Sequence, residues 1–318
     1  MFHHLIRRLP TDSCAAVAVP CVSALLAIGV LSIPGCGDAG VPSAAAAAET
    51  RGENAVTPRI AALVPFAADQ LIAIGVRPVA VPQLAGEVPS AWRGLPTITV
   101  DHSAGPNIEQ LIAAEPDYVI TSSTYAQFVE GIKQVTGARI VVMDVQSVED
   151  IATHVESLGE LTAETAAAAA RADEIRQYMN AAYSGDQTVD VLAVFGTPHA
   201  FFAFLPDSYL GDRIEHSGGR LITDGMTEHS VFRGLAPLSM EVVIDRDPDQ
   251  LLVLFHGPAE SAQAMLDRDP LWSELSAVKS GSVVFLQDDL YAMRPGSELG
   301  RAMADIRAVV DSARERQP

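Results

Sequence analysis

Histidines and arginines stand where several predicted strands end. His102 and His256 follow apolar runs, and Arg233 and Arg294 lie in polar stretches of the second half of the chain. A neutral imidazole nitrogen is a good ligand for iron, and a guanidinium binds carboxylates through two parallel hydrogen bonds. These residue types favour a site that holds a metal complex or an anion.

Four aromatic residues lie in the same stretches and could stack on a flat ligand. They are Phe66, Tyr125, Phe232 and Tyr291. For the phenylalanines, a place in the hydrophobic core fits the sequence equally well. The aromatic residues are therefore candidate ligand contacts together with the four polar ones.

Enzyme motifs are absent from the sequence. It contains no GxSxG, GxxxxGK[ST] or HExxH, and no GxGxxG after a strand. All three cysteines, Cys14, Cys21 and Cys36, precede the folded body, which excludes a disulfide framework and a thiolate metal site there. These observations favour a binding protein over an enzyme.

The charge of the chain argues against a nucleic-acid partner. The formal net charge is -19 over 318 residues, and such a chain repels phosphate backbones. Apolar residues make up 48% of the chain and charged residues 19%, which is ample material for a packed core.

Apolar runs alternate with helical patterns from Arg59 onward, which predicts an α/β fold with mainly parallel sheets. The predicted strands are Ile60 to Val64, Val79 to Val81, Thr97 to Val100, Tyr118 to Thr121, Arg139 to Met143, Val189 to Phe195, Gln250 to Phe255 and Ser282 to Leu286. Between the two groups, residues 148–183 fit a single helix, which at about 30 residues would span roughly 45 Å. Such a helix would suit a strut between two lobes.

An internal repeat supports two related lobes. The stretch from Glu109 through Pro116-Asp117 is echoed from Glu241 through Pro248-Asp249. In each copy a short helix ends at Pro-Asp, because proline cannot continue the hydrogen-bond ladder, and a buried strand follows. We therefore predict a first lobe at residues 58–147, a connecting helix at 148–183 and a second lobe at 184–318.

The first residues resemble a bacterial lipoprotein signal. Arg7 and Arg8 precede an apolar stretch, and Ile33-Pro34-Gly35-Cys36 is similar to a lipobox. This predicts a signal peptide at 1–35, lipidation of Cys36 and a flexible tether at 36–57, which is rich in Gly, Pro, Ser and Ala. A transmembrane anchor is the alternative.

Beyond the signal, residues 58–315 resemble the substrate-binding proteins of iron-chelate and cobalamin importers. The order and spacing of several short stretches carry this resemblance: Arg59 to Leu71, Pro106-Asn107-Ile108-Glu109, Glu115-Pro116-Asp117, Ser217-Gly218-Gly219, Asp247-Pro248-Asp249 and Trp272 to Gly281. The resemblance implies two α/β lobes joined by one rigid helix, with the ligand between the lobes.

The resemblance also implies ligand and partners. Family members carry haem, ferric siderophores or cobalamin to an ABC permease and have no permanent cofactor. His256 stands at the haem-ligand position of the haem branch, while Ala104 replaces a methionine and His102 lies two residues earlier. Haem, held by His256 and His102, is therefore slightly favoured over a ferric siderophore. Glu241 and Glu130 are the implied permease contacts.

These inferences predict a monomeric lipoprotein at the outer face of the cytoplasmic membrane or in the periplasm. Two other functions stay open. One is a carrier of the same architecture for cobalamin, or for zinc or manganese held by scattered histidines with a carboxylate. The other is a secreted α/β enzyme.

We predict that Cys36→Ser releases soluble or unprocessed protein, because the thiol that receives the lipid is gone. Membrane fractionation of cells expressing each form measures this. Processing and membrane attachment like those of the parent would contradict the lipidation of Cys36.

Overall fold

Short parallel strands form the centre of the first lobe. The computed structural model describes residues 57–84, 88–101, 103–180, 188–196, 201–230, 232–255, 259–287, 291, 294–296 and 298–317. The strands of the first lobe are β1 (Ile60–Ala62), β2 (Val81–Pro82), β3 (Thr97–Ile98), β4 (Val100–Asp101), β5 (Gly105–Pro106), β6 (Tyr118–Thr121) and β7 (Arg139–Val142). Strands β1, β6 and β7 run parallel with β6 in the middle, and β2 pairs in parallel with β3.

Three helices accompany these strands: α1 (Pro65–Ala73), α2 (Ile108–Ala113) and α3 (Val129–Thr136). Helix α2 begins at Asn107, whose side chain accepts a hydrogen bond from the Gln110 amide. Helix α3 ends at Gly137, which has the left-handed φ of 69° that glycine adopts without strain. Buried apolar side chains from β1, β6 and α1 pack together in the core, among them Ile60, Ile120 and Leu71.

The connecting segment is a helical hairpin. The structure forms α4 (Val148–Thr162) and α5 (Thr165–Asn180), so the prediction of one continuous helix over 148–183 is wrong. The helices lie antiparallel, since Arg176 of α5 binds both Glu149 and Glu156 of α4. The turn has Ala163 at a φ of 61°, a conformation that alanine seldom adopts. Without glycine or proline at the turn, the helical pattern runs on uninterrupted in the sequence.

The second lobe has a larger mixed sheet. Its strands are β8 (Val189–Gly196), β9 (Phe201–Phe204), β10 (Gly219–Leu221), β11 (Leu235–Pro237), β12 (Gln250–Phe255) and β13 (Val283–Gln287). Strands β10 and β12 pair in parallel with β8, and β13 pairs in parallel with β12. Strand β9 is antiparallel to both β8 and β11, an arrangement that the sequence did not predict.

Five helices accompany this sheet: α6 (Tyr209–His216), α7 (Met240–Arg246), α8 (Ala259–Arg268), α9 (Ser276–Lys279) and α10 (Leu299–Arg314). The predicted α/β class with mainly parallel sheets is confirmed.

Segment 1–35, and segment 36–57 except for Thr57, lie outside the described residues, so the predicted signal peptide and tether stay predictions. No helix among the described residues combines the length and apolar character that crossing a membrane requires.

The internal repeat extends to hydrogen bonds. In the first lobe, Asp117 accepts a bond from the amide of Arg59 at 2.8 Å, at the start of β1. In the second lobe, Asp249 accepts a bond from the amide of Asp190 at 2.9 Å, within β8. The strand registers agree as well. Ile60 pairs with Tyr118 in the first lobe, and Val191 pairs with Gln250 at the equivalent positions of the second lobe. The two Pro-Asp segments therefore anchor equivalent strands.

An ion pair with little solvent exposure connects the lobes. Arg294, in the loop before α10, donates from Nε and Nη2 to the Asp69 carboxylate of α1 at 2.8 to 3.0 Å. The two side chains are only 15% and 13% exposed. The Trp92 indole donates to the same carboxylate at 2.9 Å, and its ring centroid lies 5.4 Å from the Arg294 guanidinium carbon. Burial raises the pKa of Asp69, and Arg294 opposes that rise.

Further contacts join the hairpin to both lobes. Arg171 of α5 donates to the Gly296 carbonyl at 3.0 Å and to the Gln70 side chain at 3.3 Å. Tyr209 and Met303, from the second lobe, lie in the same buried cluster as the core of α1, α4 and α5. The lobes thus share one hydrophobic core beside the hairpin.

We predict that Gly159→Ala destabilises the protein, because the added Cβ would lie 2.2 Å from Cβ of Ala168 and push the two helices apart. The free energy of unfolding should fall by about 1–3 kcal/mol in urea titration. The control is Gly131→Ala in α3, where nothing lies within 4 Å of the added atom. That change should raise the free energy of unfolding by about 0.5–1 kcal/mol. Equal effects would contradict the hairpin packing.

We also predict a pH-dependent loss of stability for Arg294→Met. Without the arginine, the pKa of Asp69 rises further above its ordinary 3.8. A carboxyl whose pKa is higher in the folded state stabilises the fold below its ordinary pKa, and that stabilisation is lost as the pH rises through the folded pKa. The variant should therefore unfold nearly like the parent close to pH 4, but about 1–3 kcal/mol more easily at pH 7.

Arg220→Met is the matched control, because Arg220 binds Asp190 in an ion pair whose side chains are 67% and 28% exposed. Urea unfolding at both pH values should show a change below about 1 kcal/mol for it, with no growth toward pH 7. A similar pH response in both variants would show that the Asp69–Arg294 pair has no special role.

Candidate functional site

Asp144 follows the carboxyl end of β7 and is held there by two hydrogen bonds. Its carboxylate accepts the Ser123 amide at 2.9 Å, and its carbonyl accepts Nε2 of His154 at 2.7 Å. The side chain is still 29% exposed. Ligands of open α/β sheets bind beyond such strand ends. Asp144 thus places a fixed negative charge on the first lobe's rim.

A loop of the second lobe, held by hydrogen bonds across it, faces Asp144. Across the loop, the His229 amide donates to the Leu235 carbonyl at 2.7 Å, and the Gly234 amide donates to the Glu228 carboxylate at 2.6 Å. Gly234 has a φ of 71°, and a side chain there would come within 2.8 Å of Ser208. These bonds fix the position of Phe232 and Arg233.

Three rings of the second lobe form a cluster, which we call the aromatic cluster: Phe202, His229 and Phe232. His229 stacks on Phe232 with centroids 4.8 Å apart, and the Phe202 ring meets each of them edge-on at 5.5 Å. Phe232 is 44% exposed, so part of its ring is open to solvent. The Phe232 amide donates to Nδ1 of His229 at 3.2 Å, so the neutral imidazole carries its proton on Nε2.

Arg233 connects this loop to the first lobe. Its Nη1 lies 3.9 Å from Oδ2 of Asp144, and its side chain is 58% exposed. We call the region formed by Ser123, Asp144, Arg233 and the aromatic cluster the mouth. It combines exposed aromatic surface with one cation and one anion, which suits a flat ligand with a charged edge.

Other predicted contacts lie deeper in the first lobe. Phe66 is 3% exposed and packs beside the His154 ring, so it takes the core position that the sequence left open. Tyr125 is 8% exposed, and burial together with the charge of Asp101 raises the pKa of its phenol. His102 and His256, the predicted iron ligands, lie outside the described residues.

Tyr291 and Arg294 make structural contacts. The Tyr291 hydroxyl donates to Asp305 at 2.6 Å, its ring is buried, and burial and this bond raise the pKa of the phenol. Its carbonyl accepts the fully buried guanidinium of Arg213. Arg294 is held by Asp69 as described above. These contacts leave the ligand contact expected of Tyr291 and Arg294 a prediction.

Some residues of the mouth carry little signal in the sequence. Asp144 ends the stretch from Gly137, which Gly281 to Asp288 echoes in the sequence, and Phe202 lies in a strand that the pattern did not reveal. His229 is a lone histidine on a loop, and such a residue is usually a surface group. Only the pairing of β9 with β11 brings Phe202 and His229 together.

Two further observations concern other parts of the molecule. A depression of about 430 Å³ lies at the amino ends of β6 and β7, on the side away from the mouth, and its lining residues are Pro116, Asp117, Tyr118, Thr136, Gly137 and Arg139. Among the described residues, no three His, Cys, Asp or Glu side chains are grouped to hold a metal ion.

Solved structures share this fold at low identity. An ABC transporter substrate-binding protein from Listeria monocytogenes EGD-e superposes with a TM-score of 0.71 at 18% identity, over 81% of this chain and 100% of that one. IsdE of S. aureus complexed with heme gives 0.70 at 20% identity, over 80% and 99%. The vitamin B12 binding protein BtuF of Vibrio cholerae gives 0.65 at 20% identity, over 82% and 99%. Other neighbours are a heme-binding protein and a siderophore-binding protein.

No curated protein shows significant sequence similarity to the chain. The family described as periplasmic binding protein matches residues 60–290, which is well over half of the chain. The order of strands, the Pro-Asp repeat and this match agree, and the protein belongs to the periplasmic binding protein family.

Proposed function

We propose that the protein captures an iron complex at the mouth and delivers it to an ABC permease. The observation that carries this proposal is the aromatic cluster with Arg233 beside it, at the point where the two lobes meet. An exposed aromatic surface next to a guanidinium fits a flat, partly anionic ligand. Bound heme in IsdE and siderophore in BauB, proteins of the same fold, support this ligand class.

Haem is slightly favoured over a ferric siderophore. His256 directly follows β12, a central strand of the second lobe, where an imidazole would reach a ligand at the strand's carboxyl end. His229 is a poor iron ligand in this arrangement, because its Nδ1 accepts the Phe232 amide and its Nε2 carries the proton. His256, with His102, therefore remains the proposed iron-binding pair.

Surface glutamates are the proposed permease contacts. Glu241 is exposed in the first turn of α7. The internal repeat places Glu109, also exposed, in the first turn of α2. Glu130, the candidate from the sequence, is exposed in the first turn of α3. Glu109 matches Glu241 in its position before the Pro-Asp segment, so we add it to the proposal.

The remaining parts of the proposal concern location and chemistry. Lipidation at Cys36 would tether a monomeric protein at the outer face of the cytoplasmic membrane or in the periplasm. The protein would carry out no reaction and hold no permanent cofactor. Cobalamin is the second candidate ligand, because BtuF, a protein of the same fold, binds vitamin B12.

Purified protein incubated with haemin, ferric siderophores, cyanocobalamin and Zn²⁺ tests the proposal through absorption spectra and thermal shifts. If haem is the ligand, His256→Ala should shift the Soret band and weaken affinity by at least about fivefold. If a siderophore is the ligand, His256→Ala should matter little, because the chelator already saturates the iron. Arg233→Ala should then weaken binding more than His256→Ala.

Arg220→Ala is the control for these variants, since Arg220 is also an exposed arginine paired with an aspartate. It should bind each compound like the parent. Binding of cyanocobalamin or Zn²⁺ without any iron complex would overturn the proposed function. An unchanged haem spectrum in His256→Ala would remove the preference for haem.

A further inference from the structure

Arg233 carries the positive charge among the residues that form the mouth, where its partner is Asp144. Arg294, the other arginine expected to clamp a ligand, donates to Asp69 from two nitrogens. Arg233 is therefore the residue of the mouth that can pair with an anionic ligand.

Asp144 is the ion-pair partner of Arg233 in the structure. The Ser123 amide and His154 hold it in place from the first lobe. The bond from Ser123 holds the carboxylate, and the bond from His154 holds the backbone carbonyl, so the side chain starts from a fixed backbone. Asp144 is the residue of the mouth that comes from the first lobe with a charge, so that side of the mouth is negative.

Within the part of the chain that the structure describes, two ion pairs between the lobes differ in distance and in exposure. Arg294 and Asp69 approach to 2.8 Å with side chains 15% and 13% exposed. Arg233 and Asp144 approach only to 3.9 Å, with side chains 58% and 29% exposed. Exposed pairs at such distances contribute little to stability, and the long arginine side chain can change partner. We therefore expect the Asp69–Arg294 pair to persist when a ligand binds, and Arg233 to exchange Asp144 for another partner.

We propose that Asp144 and Arg233 act as a charge switch that selects the ligand. An anionic group of the ligand takes Arg233 away from Asp144, while Asp144 stays bonded to Ser123 and repels any further negative charge. The site thereby favours an iron complex that presents an anionic group to Arg233, because only such a group can replace Asp144 at the guanidinium. This inference rests on the proposed function and assigns Asp144 the role of a competitor for the arginine.

Asp144→Asn tests the switch, because asparagine keeps an oxygen for the Ser123 amide and loses only the charge. Affinity is measured by fluorescence quenching for haemin, ferric citrate and cationic ferrioxamine B. The comparison uses the one of the two anionic complexes, haemin or ferric citrate, that the parent binds better. The variant should bind that complex about two- to fivefold more tightly than the parent does. For ferrioxamine B its affinity should be unchanged or lower.

The double variant supplies the decisive comparison. In an Arg233→Ala background, Asp144→Asn should give much less improvement, since the competition for the arginine is gone. Asp190→Asn is the matched control, because Asp190 is 28% exposed, also faces an exposed arginine and changes the net charge equally. It should leave all affinities unchanged.

The outcomes separate the two proposals. If the parent binds none of the three complexes, the proposed function fails and the switch fails with it. If the parent binds an anionic complex but Asp144→Asn binds no more tightly, only the switch is overturned. The switch is likewise overturned if the gain is equally large without Arg233 or appears in Asp190→Asn. Thermal unfolding of each variant checks that the fold is intact.

Discussion

The ion pair between Asp69 and Arg294 is the constraint on which the arrangement of the lobes depends. It joins helix α1 of the first lobe to the loop before α10 of the second, with little solvent around it. Trp92 shares the carboxylate, and Arg171 fixes the adjacent Gly296. Because the buried carboxylate has a raised pKa, its ionisation is unfavourable without the cation, which makes the two groups interdependent.

Three arginines with the same side-chain chemistry differ in how deeply the structure buries them. Arg213 is fully buried, lies 4.1 Å from the ring centroid of Tyr209 and donates to the Tyr291 carbonyl, which holds the second lobe together. Arg294 is mostly buried and sets the lobes against each other. Arg233 is more than half exposed and faces a weakly held carboxylate. Of these three, Arg233 is the most exposed, so a new partner at its guanidinium would disturb the fold least.

The two lobes repeat one strand arrangement, and the second lobe adds to it. Both anchor their first strand through an aspartate that follows proline, Asp117 or Asp249. The second lobe adds the antiparallel pair β9 and β11, and this pair brings Phe202 next to His229. The aromatic part of the mouth therefore comes from the region where the repeat ends, so one lobe carries the apolar surface and the other carries the acidic rim.

The sequence by itself determined the α/β class, the repeat and the parallel core strands, because strand periodicity and Pro-Asp breaks are local signals. The bounds of β6 and β12 agree with the predicted ones. The turn at Ala163 was invisible, since alanine carries no turn signal and both helices continue the same pattern. Likewise, arginines look alike in a sequence. Whether Arg294 or Arg233 faces a ligand depends on which carboxylate lies opposite and how much water reaches it, and only the tertiary structure decides that.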